Sequence, residues 1–233
     1  MIVPYSKSDT VSIMDMLSKS FYADLMSEAI QIAPPEAKAM HPRRAATRAR
    51  ICAAANILFF ERGFPLVTME QIAAAADIQR STLYLHFREK DEILAAIASD
   101  FTVKVRDIVQ QLPGPEPTLD EIKDWVRSFA RMVAEERAST ELLVTLSHLP
   151  NAPAVALAFG EALKMMMAEQ LTAFRKALEP GQHVAAARAM FAMDNLGWAL
   201  CYFARTGLTD TSRARLIVAA ENLNRVVRGE SEE

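Results

Sequence analysis

"VTMEQIAAAADIQRSTLYLHFREKDEIL", residues 67–94, reads as three helical segments separated by two breaks. Thr68 stands ahead of an apolar-periodic run, where an N-cap belongs, and Ile72, Ala73 and Ala76 share one face of the helix it opens, 69–76. The turn Asp77-Ile78-Gln79 leads into a helix over about 80–87. Leu83 and Phe87 lie one turn apart there and are expected to bury together with Ile78, which turns Arg80, Ser81, Tyr84 and Leu85 to the opposite side. Lys90-Asp91-Glu92 opens a long helix to Leu112, with its acidic residues early, as the helix dipole prefers. Upstream, Ile51, Ala55, Ile57, Leu58 and Phe59 give an apolar face to a helix over about 44–62, which Gly63 stops. Two short helices joined by a tight turn and braced by a third describe a helix-turn-helix.

A short helix that is apolar on one side and rich in hydrogen-bonding groups on the other suits the major groove of a duplex, where residues near the helix start reach base edges. Arg80 can fork onto guanine O6 and N7, Ser81 can donate or accept, and Leu85 can touch a thymine methyl. Tyr84 and His86 can donate to phosphate oxygens, which fixes register without reading sequence. Charge is distributed accordingly: the net charge of −3 divides into +4 over residues 41–90, −2 over 1–40 and −5 over 91–233. A positive head beside a negative body is the asymmetry of a polyanion-binding module.

The order Thr68, Ile72-Ala73, then Thr82-Leu83-Tyr84-x-His86-Phe87 and Lys90, preceded by "RARICAAANILFFERGF" (48–64), resembles the N-terminal domain of the tetracycline-repressor (TetR) family of transcriptional regulators. The resemblance covers about 45–95. It implies that Thr68 and Lys90 contact phosphates, that Arg80 and Ser81 touch bases, that Thr82, Tyr84 and His86 touch the backbone, and that Leu85 holds a variable, sometimes base-contacting position. Gln79 stands where the family often has Ser and is counted with the DNA-contacting set. Asp77 stands where the family usually has Gly; Asp tolerates a left-handed turn. Asp77 and the nearby Glu70 add negative charge beside the expected groove. Arg44, with Arg43, Arg48 and Arg50, is a candidate arm toward the adjacent minor groove or backbone.

No period-two strand pattern stands out, so the fold class is all-α: an N-terminal three-helix helix-turn-helix domain followed by a C-terminal helical bundle for ligand binding and dimerisation. The domains expected are an extension with an amphipathic helix (1–40), the DNA-binding head (41–90) and the body (91–233). Helices are expected in the body at about 118–136, 139–149, 153–178, 183–206 and 211–228, with Pro150, Pro153 and Pro180-Gly181 at the joints. Gly160 and Gly197, inside apolar runs, are expected to permit close helix packing.

A single head makes few contacts, so such proteins commonly dimerise and read the two halves of a palindromic operator. The resemblance implies a homodimer built from the last two helices. The candidate stripes are Phe191, Leu196, Leu200 and Phe203, and Leu216, Ala219, Leu223 and Val226. It also implies a mostly apolar pocket for a small-molecule effector among the large soft residues of the body: Trp125, Phe129, Met132, Met166, Phe174 and Trp198.

Some classes are set aside. No apolar run reaches the roughly 20 residues that span a bilayer, and the N-terminus lacks a signal pattern, so a cytoplasmic protein without membrane contact is expected. Cys52 and Cys201 read as buried free thiols, and no metal or cofactor is expected. No zinc-protease HExxH, phosphate-cradling glycine loop or nucleophile elbow occurs, so the chain is not expected to be an enzyme. The nearest alternative is a DNA-binding regulator controlled by a protein partner, without a small-molecule effector.

Overall fold

The computed structural model describes residues 41–230, and every regular element among them is helical. The extension expected at 1–40, with its amphipathic helix, lies outside the described residues. The head comprises α1 (Pro42–Arg62), a 3-10 turn (Phe64–Leu66), α2 (Met69–Ala75) and α3 (Arg80–Tyr84). The body follows as α4 (Lys90–Val109), α5 (Leu119–Glu135), α6 (Arg137–Ser147), α7 (Ala154–Gln170), α8 (Thr172–Ala177), α9 (His183–Thr206) and α10 (Asp210–Arg228).

Local chemistry explains the boundaries. Thr68, Thr118 and Thr209 each cap a helix with a reciprocal box, in which the threonine hydroxyl accepts the N–H of the residue three positions on. Gly63 stops α1 at φ 85°, a conformation that favours glycine. The single helix expected over 153–178 is two helices: Leu171 leaves the α-region at φ −115°, ψ 126° and is wholly buried. Its apolar side chain kept the helical period legible through a break that only the backbone records. Gly160 shows no close packing, since a Cβ placed there would meet nothing within 4 Å.

One apolar core runs from Ile51 in α1 to Leu223 in α10. α4 belongs to head and body alike: it packs on α1, and also on α5, α6 and α7. α1 packs directly against α6 as well, and α9 lies along α10, with both resting on α5. Cys52 and Cys201 are buried free thiols. Burial, the leading cause in each case, pushes Cys52 up to about 11 and Cys201 to about 12, so both remain protonated and unreactive.

Candidate nucleic-acid interface

The interface is built on α2, its exit turn and α3. The Thr68 hydroxyl accepts the Gln71 N–H at 3.3 Å, and the Gln71 side chain accepts the Thr68 N–H at 3.0 Å. The Thr68 side chain also hydrogen-bonds the Glu70 carboxylate. The turn closes with the Ile78 N–H donating to the Ala73 carbonyl, and Asp77 adopts φ +50°, the left-handed conformation expected of it.

α3 ends at Tyr84, three residues short of the helix expected over 80–87, but together with the turn through Phe87 it has two distinct sides. Leu83 and Phe87 are buried in the core, with Ile78 packed against them. Gln79, Arg80, Ser81, Tyr84 and Leu85 are exposed, Leu85 by 74%. Thr82 and His86 are half-buried at the edge. Leu85 is left largely uncovered by the described residues.

Electrostatics refine the picture. Arg80 is in an ion pair with Glu70 of α2 at 2.8 Å, and its guanidinium lies 5.4 Å from the Tyr84 ring centre. The Glu70 carboxyl is held below the usual range by its backbone hydrogen bond first and by Arg80 after it. The start of α1 also reaches α3: an Arg44 nitrogen lies 3.5 Å from the Leu85 carbonyl, while Arg48 donates to the His86 carbonyl at 3.2 Å and covers the Phe87 ring at 4.0 Å. His86 is pushed below its ordinary pKa by burial, then by Arg44 and Arg48, and its Nδ1 is buried without a partner among the described residues.

The family model for "Bacterial regulatory proteins, tetR family" matches residues 51–97, the stretch just described. The fold agrees over about four-fifths of the chain. A lauroyl-CoA complex of Thermus thermophilus FadR, a TetR-family transcriptional repressor, is 26% identical, with 80% of this chain and 96% of that one covered at a TM-score of 0.50. The chain carries a TetR-family segment at residues 51–97 and shares the fold of TetR-family regulators. A TetR-like transcriptional regulator from Rhodococcus sp. RHA1 shares the fold at 21% identity over 80% and 98% of the two chains, TM-score 0.59. So does a SmeT–triclosan complex, at 19% identity over 77% and 90%, TM-score 0.56. No curated protein matches.

Within this TetR-family head, one expected contact has another occupation. Lys90, expected to anchor a phosphate, donates to the carbonyls of Phe64, Pro65 and Val67 at 2.9, 3.0 and 3.3 Å and lies over the Phe64 ring. All three of its donors are taken, so it fastens the start of α4 to the turn that feeds α2.

Most of the residues expected to line an effector pocket are packed against their neighbours. Trp125, Phe129, Met166 and Phe174 are buried in the core, and Met132 packs at its edge. The Trp125 indole donates to the Ile108 carbonyl at 2.8 Å, which satisfies its polar end. Large soft side chains at helical spacing were filling space here. Open volume lies elsewhere: a cleft of about 800 Å³ among α8, α9 and α10, whose lining includes Lys176, Arg188, Phe191, Asn222, Arg225 and Arg228. None of the six expected residues lines it. Trp198 borders a separate groove of about 250 Å³ with Asn195, Ala214, Arg215 and Val218.

Most of the residues expected in the dimer stripes are covered within the chain itself. Leu196, Leu200, Leu216, Ala219 and Leu223 are buried in the chain's own core. The apolar residues left uncovered on these helices are Val184, Met190, Phe191 and Trp198 on α9, and Ile217 and Val218 on α10. Val184, Phe191 and Trp198 recur every seven residues, the spacing of a helix-pairing seam.

Among the described residues no helix is long and apolar enough to cross a membrane, and no cluster of His, Cys, Asp or Glu could hold a metal ion.

Proposed function

We propose that the chain is a homodimeric repressor that leaves its operator when a small molecule binds the body. The observation that carries the DNA-binding part is the two-sided recognition helix. Leu83 and Phe87 are locked into the core, which presents Gln79, Arg80, Ser81, Tyr84 and Leu85 outward from a rigid brace. Arg80 and Ser81 read bases; Thr68, Thr82, Tyr84 and His86 meet the backbone; Arg44 approaches an adjacent phosphate. The protein acts by binding rather than by catalysis.

The uncovered stripe on α9 and α10 supports the dimer. An apolar face with Phe191 74% exposed is of the kind that marks an interaction surface. A partner pairing the same helices covers it with itself, by twofold symmetry.

For the effector, the cleft at the α8–α9–α10 end is of a size that admits a small molecule, within the roughly 300–1,000 Å³ of such sites. The capture of lauroyl-CoA by the Thermus FadR supports an effector in a similar body. The ligand changes DNA affinity only through unequal binding to two head arrangements. A metabolite panel screened by thermal shift, with each hit carried into a mobility-shift assay, tests the reading. The expected result is a compound that both raises Tm and releases bound operator. A stabilising compound that binds in the body and leaves operator affinity unchanged contradicts it.

A further inference from the structure

Glu141 is 3% exposed, and its carboxylate joins two helices. Arg137, one turn earlier on α6, donates through Nε to Oε1 at 3.0 Å, and Arg205, in the last turn of α9, donates to Oε2 at 2.5 Å. The same turn of α6 holds the head. The Arg137 guanidinium lies over the ring of Phe60 of α1 at 5.3 Å, and the Asn56 amide of α1 donates to the buried Ser139 hydroxyl at 2.8 Å. Glu136, which precedes α6, pairs with Lys104 of α4. Helices α1, α4 and α9 therefore meet polar side chains of α6 within six residues.

Burying a carboxylate carries a desolvation cost that a pair of arginines offsets only in good geometry, so a buried ion pair is weak evidence for stability alone. What this one does is define direction. Apolar contacts tolerate sliding, whereas a carboxylate shared by two guanidinium groups fixes α6 relative to α9 at one register. The junction also contains a loose end: the Asn56 amide oxygen is buried and has no partner among the described residues. A buried acceptor left unmatched favours any neighbouring arrangement that would satisfy it.

We propose that Glu141 is a positioning residue for operator reading: through Arg205 and Arg137 it sets the angle of the DNA head relative to the α9–α10 face, and so the separation of the two recognition helices. This rests on the reading of the chain as a dimeric DNA-binding regulator. α9 lines the effector cleft near its start, at Arg188, and carries Arg205 at its end, so a shift of α9 acts on Glu141 directly.

The test is a series of palindromic duplexes built from a selected operator, with the half-sites moved apart or together by one and two base pairs, beside a duplex with one half-site. The wild type shows a sharp optimum. Glu141→Gln and Arg205→Gln are expected to flatten that optimum by roughly tenfold in relative affinity, with single half-site affinity unchanged. A wild-type spacing profile in both folded variants overturns the proposal. So does an equal loss on every duplex, the single half-site included, because that is what a merely structural role produces. If Glu141→Gln does not fold, Arg137→Gln, whose side chain is half-exposed, gives the same reading. Failure of the wild type to prefer any duplex refutes the regulator reading itself, which is a separate result.

Discussion

The Arg80 guanidinium lies 2.8 Å from the carboxylate of Glu70. The residue best suited to fork onto a guanine is therefore held across the two helices of the motif before DNA arrives. The pair steadies Arg80 and also places a negative charge beside the groove. Both side chains are more than half exposed, so the pair is a weak restraint and not a lock.

Arg80→Ala is expected to cost about 1–3 kcal/mol on the selected operator and to relax preference at one base step. Glu70→Gln is expected to do the reverse for non-specific DNA: every duplex binds more tightly, and discrimination falls. Titrations of operator and random duplex by fluorescence anisotropy check both, and a uniform loss across sequences in Arg80→Ala would remove it from the base-reading set.

Lys90 gives a contrasting case. Its ammonium serves three carbonyls of residues 64–67, so Lys90→Met leaves those acceptors short of a donor and is expected to cost about 1–3 kcal/mol of stability. Urea unfolding measures this. A phosphate anchor would instead leave stability intact and lower the salt dependence of DNA binding by about one unit.

The stripe on α9 and α10 predicts assembly. Phe191→Glu is expected to yield a folded monomer in sedimentation experiments, with affinity for a full operator reduced to that for one half-site. Leu200→Glu, in the core, is expected not to fold. A Phe191→Glu protein that remains dimeric would move the interface elsewhere.

His86 predicts a pH dependence of stability. Its folded pKa lies below the ordinary value of 6.5, so the unfolded chain binds the proton more readily. The contribution is fully present above pH 6.5 and is lost as pH falls through the lower folded pKa. Stability of the wild type should therefore decline below about pH 6.5 by more than that of His86→Gln, as followed by thermal melts across pH.

The head was readable in sequence because its signals are local. A threonine cap, an aspartate in a tight turn and two apolar residues one turn apart each fix the conformation of their neighbours, and α2, α3 and their connecting turn follow from them. The body was less readable because its outcome depends on distant partners. Phe191 and Leu196 look alike along α9, yet the first is exposed and the second is core, a difference set by α5 and α10 rather than by spacing. Trp125 and Phe129 likewise had the composition of a binding box, and they pack on each other in the core with ring centres 5.3 Å apart. Glu141 gave only a faint signal: it is flanked by Leu142, Leu143 and an arginine four residues earlier, which any solvated helix also offers, and its second arginine lies 64 residues away.

The central claim is that residues 79–85 read the major groove as a symmetric pair. Selection of genomic fragments by the purified full-length protein, followed by footprinting, tests it most directly. The expected result is an enriched palindrome whose half-sites are protected about one helical turn apart, roughly 34–36 Å, or a multiple of that. Recovery of fragments with no shared sequence, bound no better than random duplex at low salt, would contradict it.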